Sequence, residues 1–208
     1  MMEQRSAEWF ATRCGKVTAS RIADVMAKTR SGYSKQRDNY EAQLIAERLT
    51  GTVAESFTNA AMQWGTDREP EARAAYEFLL GVDVVEIAFV EHPTIADSGA
   101  SPDGLVGDDG LVEIKCPNTA THIATLLGDS IDGKYIKQMQ WQMACTGRQW
   151  CDFVSYDPRL PESMSFYRER VMRDDKLIKE IEQEVSGFLA GVVSKVAELR
   201  AKHEKEAA

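Results

Sequence analysis

Apolar residues recur at helical spacing through the N-terminal part of the chain. The pattern predicts a short helix over residues 6–13 that ends near Gly15. A second helix is expected to run to Ala27, with Thr18 or Ser20 as its N-cap, because a hydroxyl oxygen can accept a hydrogen bond from a free amide of the first turn. The N-terminal part is therefore expected to be helical.

Two longer helices are predicted next. Residues 34–49 place their apolar side chains on one stripe, and Gly51 follows as a stop. Residues 58–80 predict a helix that ends before Gly81. Pro70 is expected either to kink this helix or to mark its true start, since proline removes a backbone hydrogen bond from a helix interior.

The pattern then changes to the alternation that is typical of strands. Residues 82–91 predict one strand, and residues 103–107 and 111–116 predict two more, joined by a tight turn at 108–110. Further helices are expected at 119–127 and 134–145, strands at 150–156 and 164–172, and an amphipathic helix from Asp174 to about Lys202. This order predicts an α/β (α+β) fold, in one domain over residues 1–208, with a central mixed β-sheet flanked by helices.

Composition narrows the class of protein. The 208-residue chain is 43% hydrophobic and 28% charged, which is typical of a globular domain. It contains no apolar run near the roughly 18 residues that a membrane-spanning helix needs, and its N-terminus lacks the apolar core of a signal peptide. The four cysteines form no C-x-x-C pair, which argues against a zinc site or a disulfide framework. We expect a protein of a reducing cytoplasm with no membrane partner.

The net charge of −8 by itself argues against a nucleic-acid partner. The charge is uneven, however, because Arg13 to Arg37 contains seven basic residues and one acidic residue, whereas residues 51–150 contain six basic and fifteen acidic residues. A basic segment beside an acidic one is compatible with a polyanion-binding edge next to a cation-binding site. Solvated surface explains the same charges, and charge alone favours that explanation.

The segment SPDGLVGDDGLVEIKCP, residues 101–117, carries the most specific pattern. Alternation along its second strand places Glu113 and Lys115 on one face and the intervening apolar residues on the other. Asp103, ten residues before Glu113, is expected to lie beside it across the turn. Two carboxylates about 4 Å apart repel by roughly 4 kcal/mol at an effective dielectric near 20, so the pair needs a neutralising cation.

Carboxylate oxygens favour Mg²⁺, for which Mn²⁺ can substitute, over zinc. The Ile114 carbonyl is placed to add a ligand, and Lys115 can orient or deprotonate a metal-bound water; its pKa is expected to fall near the metal. These groups suit metal-assisted hydrolysis of a phosphodiester. An ordinary turn at 101–104 and a solvated face at Glu113 and Lys115 are the alternatives, and the pattern alone leaves both interpretations open.

Asp103, Glu113 and Lys115 have the form of the PD-(D/E)XK nuclease signature. Further ordered motifs are Trp9 and Arg13 with Val17 to Ser20, Trp64-Gly65 with Glu69, 101–104, 111–117, Gln138-x-Gln140 and 156–159. With these motifs the chain resembles lambda-exonuclease-type proteins of the YqaJ viral recombinase family over nearly its whole length. The resemblance implies a restriction-endonuclease-like core.

The resemblance also implies catalytic roles. Asp103 and Glu113 would be metal ligands together with the Ile114 carbonyl, Lys115 the catalytic lysine, and Glu69 the helix-borne acid that completes the site. Gly65 would let another backbone approach Glu69 closely, and the helical spacing of Glu69 and Arg73 fits an exposed ion pair as well as a site.

Four residues match family positions that bind a 5′-terminal phosphate: Arg13, Ser20, Ser101 and Gln138. Ser20, as an N-cap, would add the helix dipole to this pocket. Met62 matches an apolar wedge that splits the end of the duplex, although a lone helical methionine is equally expected in a core. RecB-type nucleases carry a tyrosine four residues after the glutamine that matches Gln138. This chain has Gln142 there instead, so the role of that position is left open.

The function implied is a Mg²⁺-dependent 5′-to-3′ exonuclease that digests one strand of double-stranded DNA and leaves 3′ single-stranded overhangs for phage homologous recombination. A toroidal homotrimer around DNA ends, a phage single-strand annealing protein as partner and the cytoplasm of a bacterial host are further implications. The alternatives are a sequence-specific or structure-specific endonuclease of the same fold and a catalytically inactive DNA-end binding protein.

Overall fold

The computed structural model describes residues 2–30, 32–54 and 59–204. In chain order the helices are α1 (Ala7–Arg13), α2 (Ile22–Val25), α3 (Lys35–Thr50), α4 (Ala60–Leu80), α5 (Thr119–Leu126), α6 (Gly133–Thr146) and α7 (Asp175–His203). The strands are β1 (Val17–Thr18), β2 (Lys28–Thr29), β3 (Gly32–Tyr33), β4 (Val84–Val85), β5 (Val90–Glu91), β6 (Ser98–Ala100), β7 (Gly104–Val106), β8 (Gly110–Lys115), β9 (Trp150–Tyr156) and β10 (Phe166–Met172).

The main sheet has five strands in the order β10-β9-β8-β7-β4. Strand β8 pairs parallel to β9, while the other pairs are antiparallel, so the sheet is mixed as predicted. A second sheet has the order β1-β6-β5, and β2 and β3 form a separate hairpin. None of the described helices combines the length and apolar character needed to cross a membrane.

Strand β8 is buried on both faces because α4 covers one side of the sheet and α6 covers the other. Val112 and Ile114 pack in a cluster with Tyr76 of α4. Leu111, on the opposite face, packs in a cluster with Met139 of α6. The predicted alternation along this strand is confirmed, and Glu113 and Lys115 lie on the α6 side.

Helix α6 is buried over the continuous stretch Met139 to Cys145 because it has the sheet on one side and helices on the other. Trp141 on this second side packs in the largest core cluster with Tyr40 of α3 and Phe188 of α7. A helix enclosed in this way cannot shift without disturbing both layers. Any polar side chain that α6 directs at the sheet is therefore held firmly.

The prediction for the second helix is wrong about where the helix begins and about which residue is its N-cap. A 3-10 helix at Ala19–Arg21 precedes the short α2, and Thr18, which belongs to β1, makes no side-chain capping bond. Ser20 lies within that turn and is not an N-cap. Pairing of β1 with β6 holds Thr18 in an extended strand and delays the start of the helix.

The single strand predicted over residues 82–91 is also wrong. Its two ends form β4 and β5, which belong to different sheets. Strand β6 was not predicted, because its central Gly99 has no side chain and gives no alternation of polar and apolar residues. A Cβ at Gly99 would lie 2.5 Å from the Val90 carbonyl oxygen. Close approach of a neighbouring strand explains the glycine.

Helix α4 begins at Ala60 and continues through Pro70, so this proline does not mark its start. The predicted start at residue 58 lies outside the described residues. Gly81 ends the helix with φ +63°, in the left-handed region that glycine adopts without strain. The remaining helices and strands from α5 to α7 agree with the predicted elements to within about two residues.

Candidate active site

A cavity of about 710 Å³ opens where the N-terminal segment, α4, β8 and the start of α6 meet. All ten residues singled out in the sequence line it: Arg13, Ser20, Met62, Glu69, Ser101, Asp103, Glu113, Ile114, Lys115 and Gln138. They come from separate parts of the chain, so the fold gathers them at one place.

Asp103 and Glu113 lie side by side, as predicted. Gly104 pairs with Val112 in the β7–β8 register, and Asp103 continues this register opposite Glu113. The Ile114 amide donates a hydrogen bond of 2.7 Å to Asp103 Oδ2, which orients that carboxylate. Burial and the negative charge of Glu113 hold the pKa of Asp103 well above its ordinary value.

Glu113 is a carboxylate with 0% exposure, and three side chains donate to it. Lys115 Nζ bonds Oε1, and Gln138 Nε2 bonds the same oxygen at 2.7 Å. Gln142 Nε2 bonds Oε2 at 2.6 Å. Hydrogen bonding of this kind is what makes a buried carboxylate tolerable.

Lys115 lies beside both carboxylates of the acid pair. Burial lowers the pKa of Lys115, but the charges of Glu113 and Asp103 together raise it above its ordinary value. This rise reflects the carboxylates alone, so the fall in pKa expected beside a bound metal cation stays a prediction. Lys115 is therefore a charged donor that neutralises part of the acid pair.

Glu69 faces the cavity from α4 between two arginines. Arg5 Nη2 lies 2.6 Å from Glu69 Oε2, and Arg73 Nη2 lies 3.0 Å from Oε1. The Glu69 and Arg73 side chains are each only 12% exposed, so the interpretation of an exposed pair is wrong. The close backbone approach expected at Gly65 is also wrong for the described residues, since a Cβ there would meet none of their atoms within 4 Å.

The acid pair fits a hard divalent cation. Among the described residues, no group of three or more His, Cys, Asp or Glu side chains is arranged to hold a metal ion. Mg²⁺ usually takes one or two carboxylates and keeps several waters, so Asp103 and Glu113 are enough protein carboxylates for it. Burial and the neighbouring Glu113 raise the pKa of Asp103 in spite of Lys115, so the ionised acid pair lacks sufficient stabilisation from the protein. A cation would supply that stabilisation.

Arg13 and Ser101 form a second polar group in the cavity. Arg13 Nη1 donates to Ser101 Oγ at 3.2 Å, and its guanidinium lies 3.8 Å from the centre of the Trp9 ring. Trp9 Nε1 also donates to Ser101 Oγ, at 3.0 Å. Burial lowers the pKa of Arg13 to about 10, which still leaves it cationic at neutral pH. The Arg13 guanidinium is charged and held over the Trp9 ring, and a guanidinium can donate two parallel hydrogen bonds to a phosphate.

The other residues predicted to bind phosphate differ in their surroundings. Ser20 is exposed, and its hydroxyl lies 3.5 Å from Thr18 Oγ1. Gln138 is engaged with Glu113, so it sits on the acid side of the cavity rather than beside Arg13. Met62 is 55% exposed at the start of α4, which rules out the core interpretation and leaves the wedge as a prediction.

Two contacts with the acids were missed from sequence. Arg5 reaches Glu69 across 64 positions of the chain, and no local pattern marks it. Gln142 follows Gln138 by one helical turn, and that spacing is a signal which places both amides on one face of α6.

The chain is similar to proteins of known family and structure. Residues 8–149 match the family model of the YqaJ-like viral recombinase domain. Two crystal structures of the alkaline exonuclease LHK-Exo from Laribacter hongkongensis, one in complex with dAMP, are each 58% identical to this chain, with a TM-score of 0.90 over 96% of this chain and 99% of the other. No curated protein sequence matches the chain.

A phage-related exonuclease from Haemophilus somnus 129PT is 16% identical, with a TM-score of 0.68 over 88% of this chain and 96% of the other, and shows a shared fold alone. Together with the mixed sheet and its flanking helices, the match to LHK-Exo confirms the predicted α/β fold class of the PD-(D/E)XK type.

Replacing Asp103 by asparagine tests the electrostatics of the acid pair. In the presence of a chelator we expect Asp103→Asn to raise the melting temperature by several degrees, because it removes one of two adjacent carboxylates. About 1 kcal/mol corresponds to roughly 2–4 °C for a chain of this size. The gain should shrink as the pH falls through the raised pKa of Asp103, since the wild-type carboxyl then becomes neutral too.

Thermal unfolding followed by circular dichroism measures this difference. Asp108→Asn, in the exposed β7–β8 turn, is the matched control and should leave the melting temperature unchanged. A lower melting temperature for Asp103→Asn at neutral pH would show that the acid pair is already balanced without a cation.

Proposed function

The chain belongs to the YqaJ-like viral recombinase family, and on this premise we propose that it is a Mg²⁺-dependent exonuclease that acts in phage recombination. Its 58% identity to the alkaline exonuclease LHK-Exo supports the exonuclease activity. The observation that carries the proposal is the convergence of Asp103, Glu113 and Lys115 in a cavity that Arg13 also lines. In finer detail, the enzyme degrades the 5′-ended strand of double-stranded DNA and leaves a 3′ overhang.

The residues of the cavity have different roles in the proposed reaction. A divalent cation held by Asp103, Glu113 and the Ile114 carbonyl would stabilise charge on the attacking and leaving oxygens. Lys115 orients the attacking water and stabilises developing negative charge through its ammonium group. Glu69, restrained by two arginines, completes the acidic wall of the site.

The 5′-phosphate pocket is proposed on the other side of the cavity. Arg13 binds the terminal phosphate through its guanidinium, and the Ser101 and Ser20 hydroxyls add neutral donors. Gln138, which lines the cavity and bonds Glu113, would reach the phosphate from the acid side of the site. Met62 projects from the start of α4 and would meet the end of the duplex as an apolar wedge. One LHK-Exo structure contains dAMP, and a mononucleotide is what exonuclease action releases.

A ring of three subunits and a single-strand annealing partner are proposed from the family resemblance. A trimer is supported by exposed apolar side chains around the end of α4 and on β4, where Phe78 is 87%, Leu79 56% and Val85 59% exposed. Apolar groups clustered on a surface often mark contact with another protein. A ring also accommodates the charge of −8, because basic segments can face the bore while the outside stays acidic.

Digestion of defined duplexes tests the function. With Mg²⁺ we expect a linear 5′-phosphorylated duplex to be degraded, a linear 5′-hydroxyl duplex to be degraded more slowly, and a closed circular duplex to stay intact. Lys115→Met should bind DNA but cleave it about 100- to 1,000-fold more slowly, because the ammonium group is lost. Gels of uniformly labelled DNA read out all three substrates.

Each alternative function has its own outcome in this assay. Cutting of the circular duplex would identify an endonuclease. Binding of linear ends without any degradation would identify an inactive end-binding protein.

Replacing Arg13 by alanine tests the phosphate pocket. We expect Arg13→Ala to lose most of the preference for a 5′-phosphorylated end over a 5′-hydroxyl end, a change of about 10- to 100-fold, because a charged hydrogen bond of about 1.5–3 kcal/mol disappears. Initial rates on the two linear duplexes measure the preference. Arg21→Ala is the matched control, since Arg21 lies in the same basic segment but pairs with Asp24. An unchanged preference in Arg13→Ala would refute the pocket.

The oligomeric state is tested by mass. Light scattering of the purified chain should give a particle of three times the 23.2 kDa chain mass. Replacing the exposed Phe78 by serine is expected to lower that mass if the α4 surface forms the contact. A monomer at micromolar concentration would contradict the ring.

A further inference from the structure

Gln142 is an uncharged residue in direct contact with a proposed metal ligand. It is 0% exposed on α6, where its amide group donates to Glu113 Oε2 at 2.6 Å. Unlike Gln138, one turn earlier, it does not line the cavity. It therefore touches the acid from the protein interior, on the side away from the substrate.

The orientation of the Gln142 amide follows from its partner. A carboxylate can only accept hydrogen bonds, so Nε2 must point at Glu113 and Oε1 must point away. That Oε1 atom is buried and meets no donor among the described residues. An unsatisfied buried acceptor costs about 1–3 kcal/mol, so packing alone does not favour an amide at this position.

The two oxygens of Glu113 have different surroundings. Oε1 accepts from Lys115 and Gln138, and both of these residues line the cavity. Oε2 accepts from Gln142 alone among the described hydrogen bonds. Oε1 is therefore the oxygen on the cavity side, where a cation would bind in place of one of its two donors, while Oε2 is held by the helix behind it.

We propose that Gln142 is a positioning residue that fixes the Glu113 carboxylate so that Oε1 faces the metal site. A neutral amide can do this without reducing the negative charge on Glu113. A lysine or arginine at the same place would pair with the carboxylate and compete with a cation for it. Residues that orient metal ligands in this way typically change metal affinity or activity about 10- to 100-fold when lost. The inference rests on the proposed metal site of the preceding section.

Gln140 offers a matched control on the same helix. It is 2% exposed, and both ends of its amide are bonded: Nε2 donates to the Met172 carbonyl and Oε1 accepts from the Asp174 amide, each at 2.8 Å. These bonds join α6 to the segment between β10 and α7 and do not touch the acid pair. Gln140→Met therefore removes a buried amide of the same size with no effect on Glu113.

The experiment compares Gln142→Met and Gln140→Met with the wild type in two titrations. Mg²⁺ is titrated in the digestion of a linear duplex, and Ca²⁺ is titrated in thermal unfolding without DNA, which needs no turnover. For Gln142→Met we expect the half-maximal Mg²⁺ concentration to rise about 10- to 100-fold, with a similar shift in the Ca²⁺ needed for stabilisation. Gln140→Met should melt at a lower temperature but keep both metal midpoints within about twofold.

Equal metal midpoints in Gln142→Met and the wild type would overturn the inference and leave Gln142 as a core residue. If Gln142→Met does not fold, Gln142→Asn replaces it, since the shorter side chain withdraws the donor but remains polar; an unchanged midpoint there has the same meaning. A wild type that responds to neither cation would instead refute the proposed function, so the two failures are distinguishable.

Discussion

The interaction on which the site depends is the complete burial of the Glu113 carboxylate in the central strand of the main sheet. A buried charge must be satisfied from every direction, and here one lysine and two glutamines do so. Both glutamines come from α6, whose other side packs into the largest core cluster. The position of the charge is therefore set by the same helix that joins the sheet to the α3 and α7 layer.

The site balances its charges in two different ways. In the part of the chain that the structure describes, Lys115 is the cation beside Asp103 and Glu113, and Asp103 keeps a raised pKa because burial and the charge of Glu113 disfavour its ionised form. Glu69 has two arginines instead. A cation entering the cavity would meet two carboxylates that share one lysine at the first pair, and a carboxylate that contacts two arginines at Glu69. This difference supports the proposal that the first pair binds the metal and that Glu69 has a supporting position.

The parts of the fold that could be predicted are those with a repeated local signal. Alternation over 111–116 and the turn at 108–110 set the register that brings Asp103 to Glu113, so the acid pair followed from sequence. Strands of two residues, such as β4 and β5, are too short to show alternation, and pairing with distant segments creates them. The contact of Arg5 with Glu69 depends on tertiary packing across the chain and has no local signature.

The spacing of Ser101 and Asp103 has a consequence for where a strand is cut. Ser101 carries the hydroxyl that Arg13 and Trp9 both contact, and Asp103 belongs to the acid pair. Only Pro102 stands between them, and its carbonyl is held by Gln4. Under the proposed function, the anchor for the end of the strand and the point of hydrolysis are linked by two peptide units. This short stretch of backbone would fix the distance between the bound end of the strand and the hydrolysed bond. That distance would determine how many nucleotides leave at each step.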